Sequence, residues 1–217
     1  MTGYVFDAVI FDFDGVIVES VDVKTRAFAA LYAPYGPEVV ARVVAYHLDH
    51  GGISRFEKFR HFHREFLGTP LSIEEETSLG VRFSALVEDA VVASPWVPGA
   101  REFLECYHRE ISLFVASGTP DTELKRIIAG RFMADYFVAV HGAPATKSKI
   151  IARILRERKF QAQRVLMVGD SKADYEGANS TGVRFLARVR SDSGSFPAAV
   201  RAIHDLKELP HFLSCWS

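Results

Sequence analysis

Carboxylates follow directly on two apolar segments of the chain, and such groups could act together on a cation. In the segment VIFDFDG, Asp12 and Asp14 end an apolar run two residues apart, and in VLMVGDSKAD the run ends in Asp170 and Asp174. A buried carboxylate is costly without a compensating positive charge. Asp followed by Gly also forms ordinary turns. Because the pattern occurs twice, a shared cation site is favoured over two unrelated turns.

The cation that suits these residues is Mg²⁺. Hard divalent cations prefer carboxylate and carbonyl oxygens, and Mg²⁺ is usually held by one or two carboxylates together with substrate phosphate. Asp12 and Asp170 are each the first carboxylate after their apolar segment. If these segments are adjacent strands, both side chains lie at the same edge of the sheet, and the sequence predicts a Mg²⁺ site there.

Two further segments offer groups that bind anions. Ser117 and Gly118 end the run VASGT, where a hydroxyl and backbone N–H groups can bind phosphate at a helix start, although an ordinary helix cap is the alternative. Lys147 lies after a third β-rich run, where the next helix is expected to begin. A lysine near a helix N-terminus is disfavoured by the helix dipole, which indicates an anionic partner. A solvent-exposed lysine is the alternative.

Short β-rich runs alternate with amphipathic helical segments over most of the chain. The predicted strands cover residues 5–11, 112–116, 136–140, 164–168 and 184–187. The predicted helices between them include residues 98–109, 122–132 and 148–158. This alternation predicts an α/β fold, a Rossmann-like parallel sheet with helices on both faces. Open parallel sheets bind ligands beyond the carboxyl ends of their strands, which is where the candidate residues lie.

Residues 20–94 lack a convincing strand and predict four helices. The breaks between them are expected at residues 33–37, 51–52 and 67–70. Ser72 followed by Glu75 predicts a capping box at the start of the fourth helix. We therefore expect an inserted α-helical cap domain over the strand ends. The predicted domains are a cap of residues 20–94 and an α/β core of residues 1–19 and 95–217.

Composition excludes several classes of function. The 26 basic and 27 acidic residues of this 217-residue chain nearly cancel, so no overall positive field attracts nucleic acid or a membrane surface. No apolar run approaches the roughly 18 residues needed to span a bilayer. Cys106 and Cys215 form neither a disulfide framework nor a zinc motif. We expect a cytoplasmic protein with a small-molecule partner, and we leave the oligomeric state open.

The four motifs, in this order, resemble the haloacid dehalogenase superfamily of phosphatases and phosphotransferases. The resemblance is specific at Asp12-Phe-Asp14-Gly15 and at Gly169-Asp170-x-x-x-Asp174, and supportive at Ser117 and Lys147.

The resemblance implies a role for each acidic residue. Asp12 is the implied nucleophile, which forms an aspartyl-phosphate, and Asp14 is the implied general acid and base. Mg²⁺ is implied to be held by Asp12, the backbone carbonyl of Asp14, and Asp170, with Asp174 supporting the metal shell. Lys147 would neutralise charge on the phosphate beside Mg²⁺. Dehalogenases of the family lack the second aspartate, so Asp14 favours phosphoryl transfer.

The helical insert resembles the cap of the subgroup that contains phosphoglycolate phosphatases and β-phosphoglucomutases. Gly52-x-Ser54-Arg55 looks like the mutase cap motif, whose arginine binds the distal phosphate of a sugar bisphosphate. The resemblance thus implies that Arg55 binds an anionic group of the substrate. The alternative is a solvated basic helix face with phenylalanines on its inner side. That face comprises Arg55, Lys58, Arg60 and Arg64, and the inner side Phe56, Phe59, Phe62 and Phe66.

Two departures from the mutase pattern favour hydrolysis. Lys24 stands where the mutases have a histidine, and Pro120 stands where they have a lysine. Lys24 is expected either to reach the substrate or to face solvent. The resemblance therefore implies a Mg²⁺-dependent phosphatase acting on a small phosphorylated metabolite, such as a sugar phosphate or a phosphoglycolate-like acid. A phosphosugar mutase is the alternative enzyme, and a regulatory or binding module that retains the fold is the alternative without catalysis.

Overall fold

One parallel sheet lies at the centre of the computed structural model, which describes residues 4–190 and 196–216. Within those residues its strands are β1 (Ala8–Phe11), β2 (Ser112–Pro120), β3 (Ala139–Ala143), β4 (Val165–Gly169), β5 (Arg184–Arg188) and β6 (Arg201–Ile203). Their order is β3-β2-β1-β4-β5-β6, and every neighbouring pair is parallel. The predicted α/β fold with a parallel sheet is confirmed.

Helices fill the segment between β1 and β2 and the connections that follow. They are α1 (Val21–Tyr32), α2 (Pro37–Asp49), α3 (Arg55–His61), α4 (Ile73–Val92), α5 (Ala100–Tyr107), α6 (Asp121–Gly130), α7 (Lys147–Arg158), α8 (Lys172–Thr181) and α9 (Leu209–Ser214). A π-helical turn, Phe62–Leu67, continues α3. In the part of the chain that the structure describes, none of the helices has both the length and the apolar character needed to cross a membrane.

The four helices predicted within residues 20–94 are present as α1 to α4, and residues 21–92 are called the insert below. Its breaks fall where the sequence predicts them. Ser72 and Glu75 form the predicted capping box, in which the Ser72 Oγ accepts from the Glu75 N–H at 3.2 Å. The domain boundaries at residues 20 and 94 stay a prediction.

The two faces of the sheet are covered by different helices, as alternation along a strand requires. Val9 and Phe11 point to a core shared with α5, α6 and the insert. Ala8 and Ile10 point to the opposite face, where Ile151 of α7 and residues of α8 cover them. All four β1 residues are fully buried. The sheet is therefore a fixed platform for the residues that follow each strand.

The insert has its own aromatic core around Phe28 of α1. The ring of Phe28 contacts Phe83 of α4 at 4.4 Å, Phe62 at 5.7 Å and Phe59 of α3 at 5.9 Å between centroids. Of the phenylalanines predicted to face inward, Phe59 and Phe62 are fully buried, whereas Phe56 and Phe66 are only partly buried. This core fixes which side of α3 is buried within the insert.

Several element boundaries differ from the predicted ones. β3 covers Ala139–Ala143 rather than residues 136–140, because Ala134–Tyr136 form a 3₁₀ turn. β6 and α9 were not predicted. A strand of three residues is too short to show a periodic pattern, and β6 owes its place to pairing with β5.

Candidate active site

The site lies where the chain reverses its direction across the sheet. The chain runs from β1 through β2 to β3 on one side and then returns to form β4 on the other side of β1. Phe11 lies beside Val168 in the register, so Asp12 and Asp170 leave neighbouring strand ends. Ligands bind at such a switch point. Carboxylate oxygens of Asp12, Asp170 and Asp174 all lie within 4.8 Å of one another.

Lys147 bridges two of these carboxylates. Its Nζ lies 2.7 Å from Asp12 Oδ1 and 2.6 Å from Asp174 Oδ1, and all three side chains are buried. Asp12 Oδ1 also accepts from the Phe13 backbone N–H at 2.6 Å. Burial alone would lower the pKa of Lys147, but Asp12 and Asp174 raise it above its usual range. The alternative of an exposed Lys147 is wrong, because the helix start of α7 turns it inward between two acids.

Asp170 is the carboxylate that lacks a counter-charge. Within the part of the chain that the structure describes, its side chain has no hydrogen bond or ion pair. Burial raises its pKa well above the usual value, and the nearby Asp12 and Asp174 add to the rise. Burial likewise raises the pKa of Asp12 to about 7 against the opposing effect of Lys147. This excess of carboxylate oxygens fits a hard divalent cation.

Gly15 allows Asp170 to approach the loop after β1. A Cβ atom at Gly15 would lie 2.0 Å from Asp170 Oδ2, and the backbone at Gly15 has a φ of +76°. Both features require glycine at this position. The Asp-Gly pair in the sequence thus serves the site as well as the turn.

Asp14 is held by a set of donors on the other side of the site. Lys24 of α1 forms an ion pair with it, the Ser20 hydroxyl donates to Oδ1 at 2.5 Å, and the Thr119 hydroxyl donates to Oδ2 at 3.2 Å. Burial would raise the pKa of Asp14, but Lys24 and these hydroxyls hold it below its usual range. Lys24 is 13% exposed, so the solvent-facing alternative is wrong.

The segment after β2 contributes more than the sequence indicates. Ser117 is buried, and its Oγ accepts from the Thr119 N–H at 3.1 Å. Gly118 lies against the insert, since a Cβ there would be 2.6 Å from the Gly52 carbonyl oxygen. Phosphate binding by Ser117 and Gly118 stays a prediction. Thr119 was not predicted, although it lines the cavity and contacts both Asp14 and Lys24.

The insert closes the space above these strand ends. The resulting cavity has a volume of about 140 Å³, and its walls carry Asp12, Asp14 and Asp170 on the sheet side. This volume is smaller than the roughly 300–1,000 Å³ that is common for ligand pockets. The cavity therefore suits a small metabolite. At its exposed rim, Lys172 Nζ lies 2.8 Å from Asp49 of α2.

Arg55, predicted to bind substrate, is engaged by protein groups. Its guanidinium forms a two-pronged ion pair with Glu123 of α6, and Nη1 donates to the Ser84 hydroxyl at 3.0 Å. Arg55 is 4% exposed and lies over the Phe83 ring at 4.5 Å. Arg55 is one of the residues that line the cavity, but its charge is already neutralised by Glu123. Its contact with substrate stays a prediction.

Lys58 lies on the same helix as Arg55 and is also buried. Its Nζ donates to His47 Nδ1 at 2.8 Å, and Lys58 is one of the residues that line the same cavity. Burial lowers the pKa of Lys58 to about 7, and Lys24 adds to the fall. Burial, with Lys58 adding, lowers the pKa of His47 to about 3, so the imidazole is neutral. The solvated-face alternative holds for Arg60 and Arg64, which are exposed, and is wrong for Arg55 and Lys58.

A family model for haloacid dehalogenase-like hydrolases matches residues 6–182. The chain belongs to this family. The match confirms both the predicted superfamily and the prediction that the protein is an enzyme, and it spans the two acidic motifs and Lys147 between them.

Solved structures similar to this hydrolase share its fold. A predicted phosphoglycolate phosphatase from Haemophilus somnus is 16% identical, with a TM-score of 0.74 and coverage of 95% of this chain and 97% of the other. CbbY from Rhodobacter sphaeroides, in complex with xylulose-1,5-bisphosphate, is 20% identical, with a TM-score of 0.75 and coverage of 97% and 100%.

A third is the HAD-hydrolase YfnB from Bacillus subtilis, bound to magnesium, at 16% identity, a TM-score of 0.72 and coverage of 97% and 99%. A comparison with curated proteins found no match.

Among the polar residues that line the cavity, Thr119, His47 and Lys58 were not predicted as site residues. The only available signal for Lys58 was its position three residues after Arg55, which puts both on one side of α3. His47 and Lys58 come together because α2 and α3 both pack on Phe28. That contact depends on the tertiary structure of the insert rather than on any local motif.

Proposed function

We propose that this hydrolase is a Mg²⁺-dependent phosphatase that hydrolyses a small phosphate monoester through a phosphorylated Asp12. The observation that carries the proposal is the buried Asp12–Lys147 pair beside Asp170, with Asp14 two residues away in the same cavity. The fold shared with CbbY and with a predicted phosphoglycolate phosphatase supports a small phosphorylated substrate.

Asp12 is the proposed nucleophile. Lys147 and the Phe13 N–H hold the Asp12 carboxylate through Oδ1, and a carboxylate oxygen of Asp12 forms the bond to phosphorus. As that bond forms, the bond from phosphorus to the ester oxygen breaks, and the alcohol leaves. Lys147 reduces the repulsion between the carboxylate and the phosphate dianion. Water then attacks phosphorus, releases inorganic phosphate and restores Asp12.

Asp14 is the proposed proton carrier in both steps. The ion pair with Lys24 keeps Asp14 ionised in the free protein, so the proposal requires Asp14 to take up a proton as the substrate binds. Asp14 then gives this proton to the leaving alkoxide, and the resulting carboxylate removes a proton from the attacking water. Ser20, Lys24 and Thr119 orient the carboxylate from three directions. These donors come from the start of α1 and from β2, so Asp14 is held in place during both steps.

Asp12, Asp170 and the backbone carbonyl of Asp14 are the groups proposed to hold Mg²⁺. When bound, Mg²⁺ would neutralise charge on the transferred phosphoryl group. Asp174 supports this set indirectly, since its Oδ1 contacts Lys147 and its Oδ2 accepts from the Ser171 hydroxyl at 2.5 Å. The magnesium-bound relative YfnB supports the choice of ion.

We also propose that the insert is the cap domain and that the protein is located in the cytoplasm.

The test is phosphate release by the Asp12→Asn variant, which keeps the size of the side chain and removes the nucleophile. We expect a loss of more than about 1,000-fold, since an essential covalent group is removed. Asp7→Asn is the matched control, because Asp7 lies just before β1 and makes only a partly exposed ion pair with Arg164. Normal phosphate release by D12N would refute the mechanism.

A phosphosugar mutase is the second candidate. The Gly52-x-Ser54-Arg55 motif favours it, but the engagement of Arg55 by Glu123 and the presence of Pro120 favour hydrolysis. The two activities are separated by measuring isomer formation and phosphate release from one sugar phosphate in the same reaction. If isomer formation is faster than phosphate release, the protein is a mutase and the phosphatase proposal is wrong.

A further inference from the structure

Among residues 4–190 and 196–216, four lysine or arginine side chains line the cavity, and three of them are already paired. Lys24 is paired with Asp14, Arg55 with Glu123, and Lys172 with Asp49. The fourth is Lys58. Among the residues that the structure describes, no carboxylate lies within ion-pair distance of its Nζ. An anion that enters the cavity therefore meets one buried cation whose charge is not yet compensated.

The surroundings of Lys58 keep it inside the protein without neutralising it. It is 3% exposed, and its Nζ lies 5.6 Å from the Phe28 ring centroid. Its two polar contacts are both with His47, the imidazole Nδ1 at 2.8 Å and the backbone carbonyl at 3.3 Å. Both are uncharged acceptors. A buried ammonium of this kind is costly unless it is paired.

Lys58 lies across the cavity from the proposed catalytic residues. Lys58 belongs to the wall formed by the insert, whereas Asp12 and Asp170 belong to the wall formed by the sheet. A phosphate held at Asp12 therefore leaves the rest of the substrate between the sheet and α3. The cavity between the two walls measures about 140 Å³, which suits a substrate with a short skeleton between its groups.

From these observations, and resting on the proposed phosphatase function, we propose that Lys58 selects substrates that carry a second anionic group on the leaving-group side. The group is a carboxylate or a second phosphate, separated from the transferred phosphate by a few carbons. The sequence motif suggests that Arg55 binds an anionic group of the substrate, but the Arg55 guanidinium is already paired with Glu123. Lys58 takes this role instead. His47 is the positioning residue, since its neutral ring holds the lysine in the wall.

The test is a binding measurement in the D12N background, where turnover does not consume the ligand. Three two-carbon ligands isolate the second group: 2-hydroxyethyl phosphate, phosphoglycolate and ethylene glycol bisphosphate, each titrated by calorimetry in the presence of Mg²⁺. We expect phosphoglycolate or the bisphosphate to bind about 10-fold to 100-fold more tightly than 2-hydroxyethyl phosphate, the range for a hydrogen bond to a charged group. The tighter of the two identifies the anion.

Lys58→Met added to D12N should remove this preference and leave the affinity for 2-hydroxyethyl phosphate within about 3-fold, because only the second anion loses its partner. Lys58→Arg should retain most of the preference. Lys149→Met is the matched control, since Lys149 is exposed on α7. Thermal unfolding of each variant shows whether it is folded.

Two results would overturn the proposal. One is equal affinity of D12N for all three ligands, and the other is an equal loss for all three in the Lys58→Met variant. The second result would mean that Lys58 binds the transferred phosphate or supports the fold. Phosphate release by the protein with Asp12 intact tests the phosphatase function separately, so the two proposals fail independently.

Discussion

The guanidinium of Arg55 in α3 and the carboxylate of Glu123 in α6 form a buried ion pair that joins the insert to the sheet domain. Both side chains are less than 5% exposed, and Ser84 of α4 donates to the same carboxylate at 2.5 Å. Three helices are therefore tied together at one carboxylate. The pair fixes the distance between α3 and the strand ends, and hence the position of Lys58 in the cavity wall.

Glu123→Gln should destabilise the protein by about 3 kcal/mol, because removing one partner leaves a buried charge without compensation. Unfolding in urea measures the change. Glu88→Gln is the matched control, since Glu88 of α4 also joins the insert to α6, through an exposed ion pair with Arg126. Exposed pairs contribute about 0–1 kcal/mol. Equal effects of the two substitutions would contradict the joining role of Glu123.

Gly118→Ala should push the insert away from the strand ends. The added Cβ would lie 2.6 Å from the Gly52 carbonyl oxygen and 3.0 Å from the Ile53 carbonyl oxygen, both of which are backbone atoms that yield little. We expect a loss of about 1–3 kcal/mol in stability together with weaker substrate binding. Gly130→Ala is the control, because its Cβ would meet Val92 at 3.4 Å, an ordinary contact. An unchanged kcat/KM for G118A would contradict close contact between the insert and the sheet.

Binding of phosphoglycolate to D12N should weaken as the pH rises above about 7. Burial lowers the pKa of Lys58 to about 7 in the free protein, so at higher pH the lysine must take up a proton when the anion binds. The dissociation constant then rises by at most about 10-fold per pH unit. The charged or titratable groups that face Lys58 are His47, Lys24, Asp14, Asp170 and Glu57.

Calorimetry at pH 7, 8 and 9 measures this dependence, in a range where the substrate phosphate is already a dianion because its second pKa is about 6. The D12N variant with Lys58→Met serves as the control and should show a flatter profile. The same slope in both proteins would assign the pH dependence to another group.

The parts of the site that follow from strand ends could be predicted from the sequence. Asp12 and Asp170 each come directly after an apolar run, and parallel pairing of β1 and β4 brings such residues together. Lys147 follows from the same rule after β3. Local pattern and chain order were sufficient for these residues, because the sheet converts sequence position into spatial position.

The insert wall could not be predicted in the same way. The state of Arg55 depends on Glu123, which lies 68 residues further along the chain. The burial of Lys58 depends on how α1, α2 and α3 surround Phe28. Charge at helical spacing normally indicates a solvated face. Only the tertiary contacts separate the buried Arg55 and Lys58 from the exposed Arg60 and Arg64.

The central claim is that Asp12 carries the phosphoryl group during turnover, and chemical trapping tests it most directly. The Mg²⁺-loaded protein is quenched in acid during steady-state turnover of a phosphate monoester, reduced with borohydride, and analysed by peptide mass spectrometry. An acyl phosphate is reduced to the alcohol, so we expect a homoserine side chain at the position of Asp12 and an unmodified Asp14. Trapping at another residue, or continued turnover with no modification at Asp12, would contradict the mechanism.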